Sequence, residues 1–218
     1  MKKGILLLAI ILYTAVTNQA AAQENQTIFK NSGSHKSGGY VALSNKFTRI
    51  NGSFASMPEI YGGWFINRKL MLGVSGAATT NYIPVPLVNQ NFAANKMSYL
   101  YGQFGLMTEY VVASTRKVHV NVNLLTGSGF TLQYDRFDDD DWNDNFWNDD
   151  WDDHDGDENA RFFFVMEPGV QVEFNLLKWM RFSPGVSYRQ TFNAKGNGLS
   201  DKDLSNISYN LTLKFGIF

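Results

Sequence analysis

The sequence predicts an all-β protein, a closed antiparallel up-and-down transmembrane β-barrel of about eight strands. Three observations carry this prediction. Apolar and polar side chains alternate with a period of two in successive segments that turn residues separate. Cysteine is absent, whereas aromatic residues are abundant, with 17 Phe, 10 Tyr and 5 Trp. Apart from a tight hairpin after the first strand, short and long connections also alternate, as they do in barrels with tight turns at one end and long loops at the other.

The most regular strand is the last one, over residues 207–218. Its apolar face carries Ile207, Tyr209, Leu211, Leu213, Phe215 and Ile217. A segment of about 9–11 residues with one apolar and one polar face crosses a bilayer as part of a barrel. A terminal aromatic residue resembles the signal that outer-membrane assembly machinery reads, so we expect this machinery to be a partner during insertion. Phe218, however, shares its face with Gly216 and Lys214, and the apolar row is offset by one residue.

The first 22 residues have the features of a secretory signal peptide. Lys2 and Lys3 precede an apolar run over residues 5–11, and small residues 20–22 form an A-x-A site before Gln23. An uncleaved anchor is the alternative, but the apolar run is short for a membrane span. We therefore expect cleavage after residue 22, a periplasmic leader over residues 23–38 and a barrel over residues 39–218. An even number of strands would place both termini in the periplasm of a bacterial outer membrane.

The remaining strands follow from the same alternation. The first begins at Gly39 and ends at Asn51-Gly52, the strongest hairpin signal in the chain. The second contains Pro58, which suggests a bulge or a local edge. The third begins at Leu70 and is expected to end in Tyr82. The others are expected over residues 97–112, 118–134, 162–174 and 181–192, with a turn over residues 176–180 and loops over residues 84–95 and 194–204.

The polar faces of these strands carry acids and bases that the apolar faces lack. This inward set is expected to form a charge network of four acids and four bases: Lys46, Glu59, Glu109, Glu167, Glu173, Arg181, Arg189 and Lys214. A Lys or Arg facing lipid at mid-bilayer costs roughly 2–4 kcal/mol, so the separation by face is selective. Buried charges must pair, and eight strands leave an interior that side chains fill. We therefore predict a plugged lumen.

Residues 135–160 form an acidic external loop in this prediction. Between residues 135 and 158 lie 13 of the 20 acidic residues of the chain, together with three Trp. The carboxylates of Asp153, Asp155, Asp157 and Glu158 flank Gly156 and suggest weak binding of Ca²⁺ or another divalent cation, which could bridge lipopolysaccharide phosphates. The EF-hand spacing is not met, and a solvated loop without a ligand is the alternative. A basic protein partner is a further possibility, since the rest of the mature chain is positive. No other cofactor and no nucleic-acid partner are expected.

Two other functional classes stay open from the residues alone. A barrel enzyme that modifies lipid A or cleaves proteins needs a His with a Ser or Asp partner. His119 and His154 are the candidates, but neither has a nucleophile motif beside it. A small-solute channel is the other class, and eight strands argue against an open pore. We therefore expect a structural or binding barrel in the outer-membrane lipids, without catalytic residues.

Five stretches together resemble a family of small, largely uncharacterised outer-membrane barrel proteins of Bacteroidetes. They are residues 38–40 (GGY), 46–52 (KFTRING), 62–67 (GGWFIN), 167–170 (EPGV) and 199–205 (LSDKDLS). The resemblance covers nearly the whole mature chain. It implies the barrel fold and the outer-membrane location, and it implies no particular activity.

Overall fold

The computed structural model describes residues 38–66, 69–90, 97–112, 116–135 and 160–218. Within these ranges, eight strands form one closed antiparallel barrel in which neighbours in sequence pair and the last strand pairs with the first. The strands are β1 (Gly38–Ile50), β2 (Ser53–Ile66), β3 (Leu70–Ala78), β4 (Met97–Val112), β5 (Val118–Asp135), β6 (Arg161–Leu177), β7 (Met180–Phe192) and β8 (Asn206–Gly216). A short helix, α1 (Asp201–Leu204), precedes β8. The predicted fold class is confirmed.

The two faces of each strand lie as the alternation predicts. On β8, Tyr209 and Leu211 are exposed on the outside, while Thr212 and Lys214 are buried inside. The same division holds around the barrel, so that the outer wall is apolar. The buried acidic, lysine and arginine side chains in the described ranges are the eight predicted inward charges. The side-chain period of two therefore assigned the faces correctly, because register on a closed barrel fixes which face is enclosed.

The connections divide the barrel into two unlike ends. The short-turn end has residues 67–69, 113–117 and 178–179 between strands. The long-loop end has residues 79–96, 136–160 and 193–205, together with the predicted two-residue hairpin at Asn51 and Gly52. Both hairpin residues have positive φ, 48° and 75°, as a type I′ turn requires.

The largest differences from the predicted strand ends are in β3 and β6, and β8 ends at Gly216, two residues before the predicted Phe218. β3 ends at Ala78 rather than at Tyr82, because after the Thr80 amide, which donates to the Ser56 carbonyl at 3.0 Å, a side chain replaces the backbone as the partner of β2. The Asn81 Oδ1 accepts a hydrogen bond from the Ser56 amide at 2.7 Å, and its Nδ2 donates to the Phe54 carbonyl at 2.9 Å. β6 extends to Leu177, so that the turn is shorter than predicted, and a register shift lies between Asn175 and Leu177.

Pro58 lies at a local edge rather than in a bulge. Its pairing with Asn45 of β1 keeps a regular register, whereas the pairing of β2 with β3 begins one residue later, at Glu59. A proline has no amide hydrogen to donate. Because Pro58 has no pairing partner on β3, no hydrogen bond between β2 and β3 is lost at this position.

Two loops fold into the mouth of the barrel at the long-loop end. Residues 79–85 run along β4, and the Tyr99 amide donates to the Ile83 carbonyl at 2.9 Å. From the other side, the Asn51 amide donates to the Asp203 carbonyl at 2.9 Å. Their apolar side chains join an interior cluster with strand residues: Ile50, Ala55, Met57, Ala77, Ile83, Val85, Met97, Tyr99, Tyr101, Phe163, Val165, Ala194, Leu199 and Leu204. The sequence predicted these loops but not that they close the mouth.

Glycine is sterically required where the paired strands β2 and β3 approach closely, at Gly73 and Gly62. A Cβ on Gly73 would overlap the Gly62 carbonyl oxygen, whereas a Cβ on Gly76 of the same strand would meet nothing within 4 Å. Gly73→Ala is therefore expected to destabilise the barrel by about 1–3 kcal/mol through overpacking. Gly76→Ala is the matched control and should leave stability unchanged or raise it by less than about 1 kcal/mol. Urea unfolding of both variants in lipid vesicles measures the difference, and equal midpoints would contradict it.

Candidate functional site

The first charged cluster of the lumen surrounds Lys46 of β1. Its Nζ lies 2.8 Å from the Glu59 carboxylate and 3.1 Å from the Glu167 carboxylate. Gln103 Nε2 donates to Glu167 at 2.6 Å, and Ser187 Oγ donates to the same carboxylate at 2.6 Å. One lysine thus holds two carboxylates, and neutral donors complete their hydrogen bonding, as buried charges require.

The second cluster lies nearer the short-turn end, around Glu173 of β6. Arg181 Nη1 lies 3.0 Å from this carboxylate and His119 Nε2 lies 2.7 Å from it. Lys214 Nζ pairs with Glu173 and also with Glu109, at 3.0 Å from the latter. The Tyr40 hydroxyl donates to Glu109. Four strands therefore contribute charges to one buried, nearly balanced group.

Arg189 does not join either cluster. It is fully buried, but no carboxylate lies within ion-pair distance of it in the described residues. Its Nε donates to the Leu204 carbonyl at 2.7 Å and its Nη2 to the Arg49 carbonyl at 3.0 Å. Its guanidinium carbon lies 4.6 Å from the centre of the Tyr101 ring. Arg189 thus ties the end of α1 to the barrel wall, a role that the expected acid–base pairing did not include.

His119 is a member of the lumen site that the charge count left out. Its Nδ1 lies 3.1 Å from the Arg116 carbonyl oxygen, and its Nε2 contacts Glu173. Both ring nitrogens of His119 therefore have partners inside the lumen. His119 and Glu173 are direct cross-strand partners of β5 and β6, so the strand register would have placed them together.

Aromatic side chains close the short-turn end of the lumen. The rings of Tyr40, Phe65 and Phe218 lie within 6.4 Å of one another. The Phe218 ring lies 3.8 Å from the Arg181 guanidinium carbon. Phe218 therefore contacts the inner face, in agreement with its parity along β8 rather than with the outward apolar row.

The proposed metal ligands Asp153, Asp155, Asp157 and Glu158 and the acidic loop lie outside the described residues, as do residues 1–37. Among the residues that are described, no cluster of three His, Cys, Asp or Glu side chains could hold a metal ion. In the same ranges, no helix has the length and apolar character of a membrane span.

Comparison with solved structures places the fold among eight-stranded outer-membrane barrels. Neisserial surface protein A superposes with a TM-score of 0.54 at 11% identity, over 84% of this chain and 99% of that one. Ail of Yersinia pestis gives a TM-score of 0.47 at 11% identity, over 84% and 99% of the two chains. A major outer membrane protein of Thermus thermophilus gives 0.45 at 9% identity, over 82% and 99%. The superposition with neisserial surface protein A shows that the two proteins share a fold. At 11% identity, this similarity concerns the fold alone.

No protein-family model matches the sequence, and no curated protein matches it. The protein thus has the architecture of an outer-membrane β-barrel. The resemblance to Bacteroidetes barrels stays a prediction from the five stretches.

Proposed function

We propose that the protein is an integral outer-membrane β-barrel of structural or binding type, with a closed lumen and no catalytic activity. The observation that carries this proposal is the separation of charge: eight acidic and basic side chains are buried inside, while the outer wall is apolar. In water, such a wall would be a very large exposed apolar surface, which soluble monomers avoid. In a bilayer the same wall is correctly solvated.

Cell fractionation tests the location. The mature protein should appear in the outer-membrane fraction, require detergent for extraction and migrate differently on gels when it is not heated. By orientation, the short turns and both termini would face the periplasm and the long loops the exterior. Recovery of the mature chain as a soluble monomer without detergent would exclude the proposal.

A closed lumen predicts the absence of a steady conductance. Two ion-pair clusters, the apolar mouth cluster and the aromatic rings at the short-turn end occupy the interior in succession. The purified barrel in a planar bilayer should therefore show no sustained current at moderate voltage. A large, steady single-channel conductance would contradict the closed lumen and support the channel alternative.

The contacts of His119 support the proposed lack of catalytic activity. Both of its ring nitrogens are engaged, so replacement of His119 by glutamine should leave lipid A composition and the cleavage of added protein substrates by the cells unchanged. The same result is expected for His154→Gln, because no nucleophile motif lies beside His154 in the sequence. Altered lipid A in either variant would favour the enzyme alternative.

The acidic loop is proposed as the external contact region. Its carboxylates would bind divalent cations weakly, or a basic partner, and its Trp residues would report binding. A calcium titration by Trp fluorescence tests the cation; no change up to millimolar concentration would remove it. Pull-down from intact cells with and without residues 136–158 tests the basic partner.

A further inference from the structure

A cavity of about 660 Å³ opens at the short-turn end of the barrel. Its lining residues are Asn175, Leu176, Leu177, Lys178, Arg181 and Phe218. Asn175 joins this wall to the β4–β5 turn, because its amide donates to the Lys117 carbonyl at 2.9 Å and its Nδ2 to the Arg116 carbonyl at 2.8 Å. The cavity is therefore bounded by two turns that hydrogen bonds hold together.

Arg181 lines this cavity and has an unused hydrogen-bond donor beneath the Phe218 ring. The residue is only 5% exposed, and its Nη1 contacts Glu173 at 3.0 Å. The Arg181 Nε is buried and has no hydrogen-bond partner in the described part of the chain. A guanidinium has five N–H donors, and an unpaired buried donor is costly. Arginine is also the side chain that binds carboxylate and phosphate in a fork geometry.

The surroundings of the cavity are basic. Lys69, Arg116, Lys117 and Lys178 are exposed on the three short turns and have no ion-pair partner among the described residues. The nearby acidic side chains of the described residues, Glu109 and Glu173, are buried and are matched by Lys214 and Arg181. We call these four exposed residues the basic collar. The collar raises the local concentration of anions at the mouth of the cavity.

We propose that the cavity at the short-turn end binds an oxyanion, a phosphate or a carboxylate, through Arg181, with Lys178 and Asn175 at its rim. The orientation of this site rests on the proposed function: in an outer membrane it faces the periplasm and the inner leaflet. The oxyanion then comes either from an anionic phospholipid headgroup or from a soluble periplasmic molecule. Entry displaces the Phe218 ring from the guanidinium that it covers.

The test is a titration of the folded barrel in zwitterionic micelles with inorganic phosphate, followed by the NMR signal of the Arg181 Nε–H. A saturable shift is expected. The Arg181→Lys variant keeps the charge but loses the fork, so its affinity, measured by phosphorus NMR line broadening, should fall about tenfold or more. Vesicles of phosphatidylcholine with and without phosphatidylglycerol form the second arm. Saturation by phosphatidylglycerol alone identifies a headgroup, and saturation by phosphate identifies a soluble ligand.

Matched control variants distinguish binding at this site from nonspecific attraction of anions to positive charge. Lys117→Gln with Lys178→Gln removes two charges of the collar and should weaken binding. Lys195→Gln with Lys202→Gln removes two exposed lysines at the long-loop end and should not weaken binding.

Unchanged affinity in Arg181→Lys, or an unshifted Arg181 signal in both arms, would overturn the proposal. The micelle arm does not depend on cellular location, so failure of the outer-membrane assignment shows only in the fractionation. Gel mobility without heating verifies folding, and the two turn-lysine substitutions still test the site if Arg181→Lys does not fold.

Discussion

Replacement of Lys214 by methionine is expected to destabilise the barrel by about 3–5 kcal/mol, the cost of breaking a buried ion pair on one side. Lys214 is 1% exposed and is the cation shared by Glu109 and Glu173. Without it, Glu173 still contacts Arg181 and His119, whereas the one partner left to Glu109 among the described residues is the Tyr40 hydroxyl. The carboxylate of Glu109 is then a buried charge without a counter-ion.

The companion variant identifies the cause of that loss. Lys214→Met combined with Glu109→Gln removes one base and one acid, which leaves Glu173 with Arg181, and it should recover a large part of the lost stability. Lys195→Met at an exposed loop position is the control and should change stability by less than about 0.5 kcal/mol. Urea unfolding in phospholipid vesicles, followed by gel mobility, measures all three. A wild-type midpoint for Lys214→Met would show that the cluster does not need its central cation.

The inward and outward faces of the strands were predictable from the sequence, because on a closed barrel only one of the two faces of each strand can be enclosed. With hydrocarbon proposed on one side and an enclosed lumen on the other, Lys46 and Glu167 can only point inward. The bounds of β4 agree with the prediction, since polar loops flank a long alternating run. The alternation says which residues enter the lumen, but it does not say which of them meet.

The contacts that the sequence did not predict depend on register and on loops. His119 meets Glu173 because β5 and β6 pair in that register, and no local pattern encodes it. Arg189 binds the Leu204 carbonyl because residues 193–205 fold into the mouth. Isolated apolar residues in polar loops, such as Ile83 and Leu204, were the available signal, since an exposed loop has little use for them. Their destination required the three-dimensional structure.

An arginine in place of Val170 should cost about 2–4 kcal/mol, whereas the same substitution at Val118 should cost about 0–1 kcal/mol. Both valines point outward and are similarly exposed, at 45% and 48%. Val170 lies near the middle of β6, and Val118 is the first residue of β5, beside the basic collar. In hydrocarbon, a charge is most costly at the midplane, and near the interface the long side chain reaches water.

The comparison of the two variants tests the surrounding medium rather than the fold. On a barrel in water, an exposed valine replaced by arginine changes stability by about 0.5 kcal/mol or less at either depth. Unfolding in vesicles should therefore separate Val170→Arg from Val118→Arg, and the gap should shrink in short-chain detergent, which hydrates the wall more. Equal stabilities in vesicles would mean that the apolar wall does not face a bilayer. A stability difference of the expected size between the two variants would show that the cost of a charge depends on its depth in the membrane. The geometry of the barrel alone does not give this cost.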